Sequence, residues 1–232
     1  MCAHFESVKD PKRLKAKFKV DLPAKVNFDV WPTYSSTFIR VAKTTPNLEA
    51  SEQAKDSITG SVQQLQLEAM VGSFGLIPHW SKDTKIARHT YNARVETVTD
   101  KPAFKDAWRL GRLCIIPAES IYEPYWRSGK AQSTKIQRAD HEPMGIAGIW
   151  TGWKSPSGEV IRSFSMLTIN ADDHAFMKNF HKPGEEKRMV VILDETNYET
   201  WLYASTEKCL ELIQPFPADR LVATTHQHNP SH

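Results

Sequence analysis

Apolar and β-branched residues fall in short blocks separated by turn-forming residues. The blocks at 37–42, 66–77, 112–116, 133–138, 144–153, 163–170, 188–193 and 221–225 have the length and the content of strands. Helical spacing is rarer. Phe104, Ala107 and Trp108 share a face, as do Phe176, Met177 and Phe180, and Tyr198, Trp201 and Leu202, followed by Cys209, Leu212 and Ile213. Asp172 and Ser205 stand where helix N-caps are expected. Short helices set between strands predict a mixed α+β class on a β-rich scaffold. The polar stretch 47–60, ending at a glycine, reads as an exposed insertion, and residues 226–232 as a frayed tail.

With 232 residues the chain is expected to form one domain around a sizeable core. A hydrophobic share of 40%, a charged share of 25% and seven Trp residues argue against general disorder. No apolar run approaches the roughly 18 residues of a membrane span, and the opening MCAHFESVKD lacks the apolar core of a secretory signal. A cytoplasmic monomer with no membrane partner is expected. Cys2, Cys114 and Cys209 are too scattered for a disulfide framework and too irregular for a metal site, so neither a metal nor another cofactor is implied. The net charge of +3 permits nucleic-acid binding without requiring it. Lys9, Lys12, Arg13, Lys15, Lys17 and Lys19 crowd one stretch opposed by Asp10; they either attract a phosphate backbone or form a solvated basic arm.

Cys2 is the first candidate for chemistry, because a small residue after the initiator methionine normally permits its removal. The exposed cysteine then carries an amine and a thiol on adjacent carbons, which can close on an aldehyde as a thiazolidine. An α-amine titrates at about 7.7–8.0, so a useful fraction is nucleophilic near neutral pH, unlike a lysine. Position alone does not separate this use from an incidental second-residue cysteine. Asn92 in YNARVET, Glu123 in IYEPYW and His181 in NFHKPGEEKR could supply the remaining steps. A histidine can relay protons during sugar ring opening, a glutamate can serve carbinolamine formation, and an asparagine amide can hold the amine. Each also has an ordinary use, as a turn residue, a strand charge before Pro124 and a surface imidazole. In FGLIPHWSKD, Trp80 either offers a ring to a base or fills the core, with Lys82 and Lys85 nearby for phosphates and Arg94 and Arg112 extending the positive supply.

Taken in order, the start MC and the motifs FGLIPHWSKD, YNARVET, KPAFKDAW, CIIPAESIYEPYW, AGIWTGW, SMLTINAD and FHKPGEEKRMVVIL resemble the SOS response-associated peptidase (SRAP) domain proteins that protect abasic sites. The resemblance covers most of the chain to about residue 202. It implies a curved, barrel-like, mainly antiparallel sheet with flanking short helices, and single-stranded DNA containing abasic sites as partner. It further implies that Cys2 crosslinks to the abasic aldehyde, Asn92 positions it, Glu123 is the acid/base and His181 assists ring opening. Arg94 is implied to contact phosphate, Trp80 and Phe104 to shape the DNA path, and Thr168 to lie by the pocket. Many members begin Cys-Gly-Arg-Phe, where this chain has Cys2-Ala3-His4-Phe5, so His4 replaces the arginine only in part. Residues 182–187 intervene before RMVVIL, and Arg188 is expected to take the DNA-facing arginine's place. The same Cys2, Glu123 and His181 suit two other functions: an N-terminal-nucleophile peptidase or amidase, also able to remove Met1, and a non-catalytic single-strand binder. Reversal of the crosslink and lyase chemistry would follow from the same groups.

Overall fold

The computed structural model describes residues 2–42, 66–127 and 129–225. The expected polar insertion at 47–60 and the tail at 226–232 lie outside the described residues, as does Met1. In chain order the elements are β1 (His4–Ser7), α1 (Pro11–Phe18), β2 (Asp29–Val30), β3 (Ser35–Val41), β4 (Leu67–Phe74), β5 (Asn92–Arg94), α2 (Lys105–Arg109), β6 (Leu113–Arg127), β7 (Lys130–Arg138), β8 (Met144–Lys154), β9 (Val160–Asn170), β10 (Arg188–Val190), β11 (Ile192–Leu193), α3 (Tyr198–Tyr203), α4 (Thr206–Glu211) and β12 (Leu221–Thr225). The 12 strands form one sheet in which β8, β9, β4, β3 and β6 follow one another and β6 pairs back on β8, closing a barrel. Pairing is antiparallel except where β9 takes β4 and β5 in parallel, Ser73 beside Ser163 and Asn92 beside Met166. This is the α+β, barrel-like architecture expected.

Both faces of the barrel wall are buried, which explains its long apolar runs. Along β6, Cys114 and Ile116 pack in one cluster with Phe38, Phe74, Phe164 and Met166, while Leu113 and Ile115 pack in another with Ile39, Ala147 and Leu167. The second cluster also holds Leu14 and Phe18 of α1, Ala107 and Trp108 of α2, and Trp201 of α3. Helices cannot fit inside so narrow a ring, so this is its outer face. Cys2 and Phe5 belong to the inner cluster, which brings the start of the chain into the barrel.

The differences from the sequence reading have local causes. β4 stops at Phe74 because Gly75 takes φ +118°, out of strand geometry. β6 runs on past 116 through Pro117 and Pro124, its register passing from β8 to β1 and then to β7. The block 188–193 divides at Val191, whose amide donates to Leu167 and whose carbonyl accepts from Ala147. Ser205 caps α4 as expected. Asp172 caps no helix: its carboxylate accepts from the Lys187 amide and from Asn170, and the following segment forms only a single 3-10 turn, Met177–Asn179.

The basic run is corrected as well. Residues from Pro11 onward form α1, N-capped by Asp10, which accepts from the Lys12 amide at 2.8 Å. Arg13 pairs with Glu119, Lys15 with Asp21, and Lys17 with Glu142 and Glu195. Leu14 and Phe18, four apart, anchor the helix on the barrel, and three cations of the run, Arg13, Lys15 and Lys17, are matched to carboxylates.

Candidate active site

Four of the expected residues converge at one end of the barrel. Cys2 lies two residues before the start of β1, whose pairing of His4 with Tyr122 carries the start of the chain toward Glu123. Cys2 is 1% exposed, with its thiol 3.4 Å from the His4 carbonyl. Asn92 opens β5, and its Nδ2 donates to the Cys2 carbonyl at 2.7 Å. Its Oδ1 is buried with no hydrogen bond among the described residues. Glu123, also 1% exposed, lies on β6 opposite Thr134, and its Oε2 stands 2.9 Å from Nε2 of His181.

His181 reaches this position through unusual backbone. Its φ of +63° is in the left-handed region, which a side chain adopts only at a cost. Three contacts hold it there: Phe180 bridges to Tyr125, the His181 amide donates to the Pro124 carbonyl at 2.8 Å, and Lys187 Nζ donates to the His181 carbonyl at 3.2 Å. The loop 182–187 thus feeds a cation back to the histidine it follows.

Electrostatics fix the state of the sulfur. Burial pushes the Cys2 thiol far above the ordinary thiol range, and the nearby Glu123 carboxylate adds to the shift, so the sulfur is held as S–H. Tyr91 was missed in the sequence. Its hydroxyl is raised by burial and then by Cys2 and Glu123, which places it beside the same cluster, and its only signal was its position before Asn92.

The remaining expected residues divide by depth. Arg94 and Thr168 face each other across β5 and β9; Arg94 is half-exposed and Thr168 buried. Arg188 is buried, and it donates to both oxygens of Glu96, to Glu186 and to the Thr168 carbonyl. It is therefore not exposed to meet DNA directly, and it is linked to half-exposed Arg94 through Glu186, which also pairs with Arg94 at 2.7 Å. Trp80 is 48% exposed, its indole donating to the Pro102 carbonyl, while Phe104 is buried at the start of α2. His4 is sandwiched between Trp31 and Tyr122, ring centroids 4.1 Å away on each side, with Asp29 on its Nε2. It is no free substitute for an arginine. Arg112 stands before β6, eleven residues from Glu123 and at the opposite end of the barrel, so it does not extend the positive supply around Cys2.

A closed barrel thus draws Cys2 into a buried cluster of amide, carboxylate and imidazole. Residues 1–228 match the family model described as SOS response associated peptidase (SRAP), and the chain belongs to that family. It is 31% identical over 156 residues to the abasic site processing protein YoqW of Bacillus subtilis (strain 168), a match covering 65% of each chain. It is 29% identical over 175 residues to the abasic site processing protein HMCES of Rattus norvegicus, covering 61% of this chain and 48% of that one. The matches thus span just under two thirds of the one relative and about half of the other. A crystal structure of a protein from Bordetella bronchiseptica superposes with a TM-score of 0.82 at 39% identity, covering 97% of this chain and 100% of that one. A Bacteroides thetaiotaomicron structure at 20% identity and TM-score 0.75 shares the fold.

Proposed function

We propose that this protein processes abasic sites in single-stranded DNA by forming a thiazolidine between Cys2 and the ring-opened sugar aldehyde. The observation that carries the reading is the convergence of Cys2, Asn92, Glu123 and His181. Hydrolysis of the Met1–Cys2 bond frees the α-amine. The buried, unpartnered Oδ1 of Asn92 is an acceptor suited to that amine, and the Nδ2 bond to the Cys2 carbonyl holds the residue in register. His181 moves a proton as the sugar opens. The amine attacks the aldehyde carbon, and Glu123 protonates the departing hydroxyl, so that one water leaves and an imine forms. The thiol then adds to the imine carbon and its proton passes to the nitrogen, closing the ring.

The state of the sulfur favours this order. With Met1 attached the thiol is held protonated and is a poor nucleophile, in keeping with chemistry that waits for the α-amine to be freed. Half-exposed Arg94 is placed to meet a phosphate, Arg188 and Thr168 support it from inside, and exposed Trp80 over the Phe104 corner lines the strand's path. The same Glu123 and His181 serve removal of Met1 and reversal of the crosslink.

Intact mass after incubation with a uracil-glycosylase-treated single strand tests the reading. The expected product is protein lacking Met1 plus DNA minus one water, absent with undamaged DNA and with Cys2→Ala. An adduct that persists in Cys2→Ala, or no adduct with wild type, overturns it.

A further inference from the structure

The far end of the barrel carries a polar cluster that the Cys2 chemistry does not use. Strand alternation sends Phe38, Cys114 and Phe164 into the barrel. Two residues further out along the same faces stand Arg40 on β3, Arg112 at the entrance to β6 and Arg162 on β9. Together with Trp150 they line a cavity of about 630 Å³. The Arg40 guanidinium lies 4.2 Å over the Trp150 ring and that of Arg112 5.8 Å from it, and Arg112 Nη1 donates to Thr151 Oγ1 at 2.7 Å.

This mouth has a surplus of positive charge. Arg40 is only 7% exposed; its Nη2 meets Glu68 at 2.6 Å, but its Nε is buried with no hydrogen bond among the described residues. Among the described residues Glu68 is the one carboxylate ion-paired with the three arginines. Guanidinium groups do not shed their protons to relieve such crowding, so among the described residues two charges are left over in a partly enclosed space. Stacking on Trp150 accounts for where Arg40 and Arg112 lie. It does not give the Arg40 Nε an acceptor, and it does not draw Arg162 to the same opening.

We propose that this mouth binds a phosphate monoester. The dianion matches the surplus charge, its three free oxygens suit several guanidinium forks better than a carboxylate does, and barrel mouths of this volume admit a nucleotide-sized ligand. Free phosphate, a mononucleotide and a phosphorylated strand end share this chemistry. The site lies at the opposite end of the barrel from Cys2 and does not depend on the function proposed there.

Calorimetric titration of the full chain with inorganic phosphate, adenosine monophosphate, and single strands bearing a 5′-phosphate or a 5′-hydroxyl tests it, with chloride at matched ionic strength as control. Phosphate is expected to bind and to raise the melting temperature above the chloride control. The Arg112→Gln/Arg162→Gln protein is expected to bind about tenfold more weakly or worse. Its melting temperature without phosphate should not fall, since like charges have been removed, and its Cys2 adduct yield should be unchanged. A response confined to the 5′-phosphorylated strand identifies a strand end; equal responses to inorganic phosphate and nucleotide identify a free ligand. Wild type that distinguishes none of these phosphate ligands from its control, or a double variant that binds as wild type does, overturns the proposal.

Discussion

The backbone amide of His181 donates to the carbonyl of Pro124 at 2.8 Å, one residue beyond the glutamate whose carboxylate its own ring meets. This backbone bond helps to set the distance between the Glu123 carboxylate and the His181 ring. Because both side chains are buried, removing either one takes away an opposite ionisable group from the other inside the barrel end.

Glu123→Gln keeps the shape and removes the proton carrier. Adduct formation should slow by about a hundredfold or more, the range usual for loss of a general acid/base. Quenched time courses by denaturing gel measure it, with circular dichroism confirming the fold. An unchanged rate would remove Glu123 from the mechanism.

Asn92→Ala deletes the 2.7 Å bond to the Cys2 carbonyl. A hydrogen bond of this kind contributes about 1 kcal/mol, and a stranded acceptor can double the loss. Adduct formation should slow markedly while affinity for an undamaged strand, read by fluorescence anisotropy, stays as it was. Equal loss of both would mean that Asn92 only supports the fold.

Arg94→Ala should reduce the salt dependence of single-strand binding. Each phosphate contact on a single strand contributes about 0.7 to the slope of log K against log salt. The slope should drop by about that amount, and Glu186, relieved of Arg94, still has Arg188 as partner. An identical slope would place the strand elsewhere.

Stability should respond to alkaline pH through the buried thiols. Burial raises Cys114, and burial with Glu123 raises Cys2, so the unfolded chain releases these protons first as pH rises. Their contribution is complete below the unfolded thiol value of about 8.5 and declines above it. Between about pH 7.5 and about pH 9.5, roughly one unit below and above that value, urea midpoints should fall less in Cys2→Ser than in wild type. Parallel declines would show the thiol ionising freely in the folded state.

Gly75→Ala should be severe. At φ +118° a Cβ would lie 2.0 Å from the Ala87 carbonyl oxygen, and the backbone there is hostile to any side chain. A loss of about 2–4 kcal/mol is expected from strain and overpacking together, measurable by chemical denaturation.

Much of this was legible along the chain, because blocks such as LCII and GIAGIW are strands apolar on both faces and therefore walls of a barrel. α1 was not, since only Leu14 and Phe18 mark its inner face among lysines. The site residues were legible as an ordered set of motifs. What hid their geometry was the left-handed turn at His181, for which histidine gives no warning. Arg112 and Arg188 show a further limit: composition counts a charge, but only strand parity decides whether it points to solvent or inward. Arg188 turns in to Thr168, and Arg112 belongs to the other mouth.

The enclosure of Cys2 has a last consequence for how long the protein stays usable. Sulfur near a chain terminus is ordinarily among the first to be lost to peroxide, because it is accessible and partly ionised. Here burial shields it and, with Met1 attached, holds it protonated, so under the function proposed above Cys2 should outlast the oxidative conditions under which damaged bases are shed.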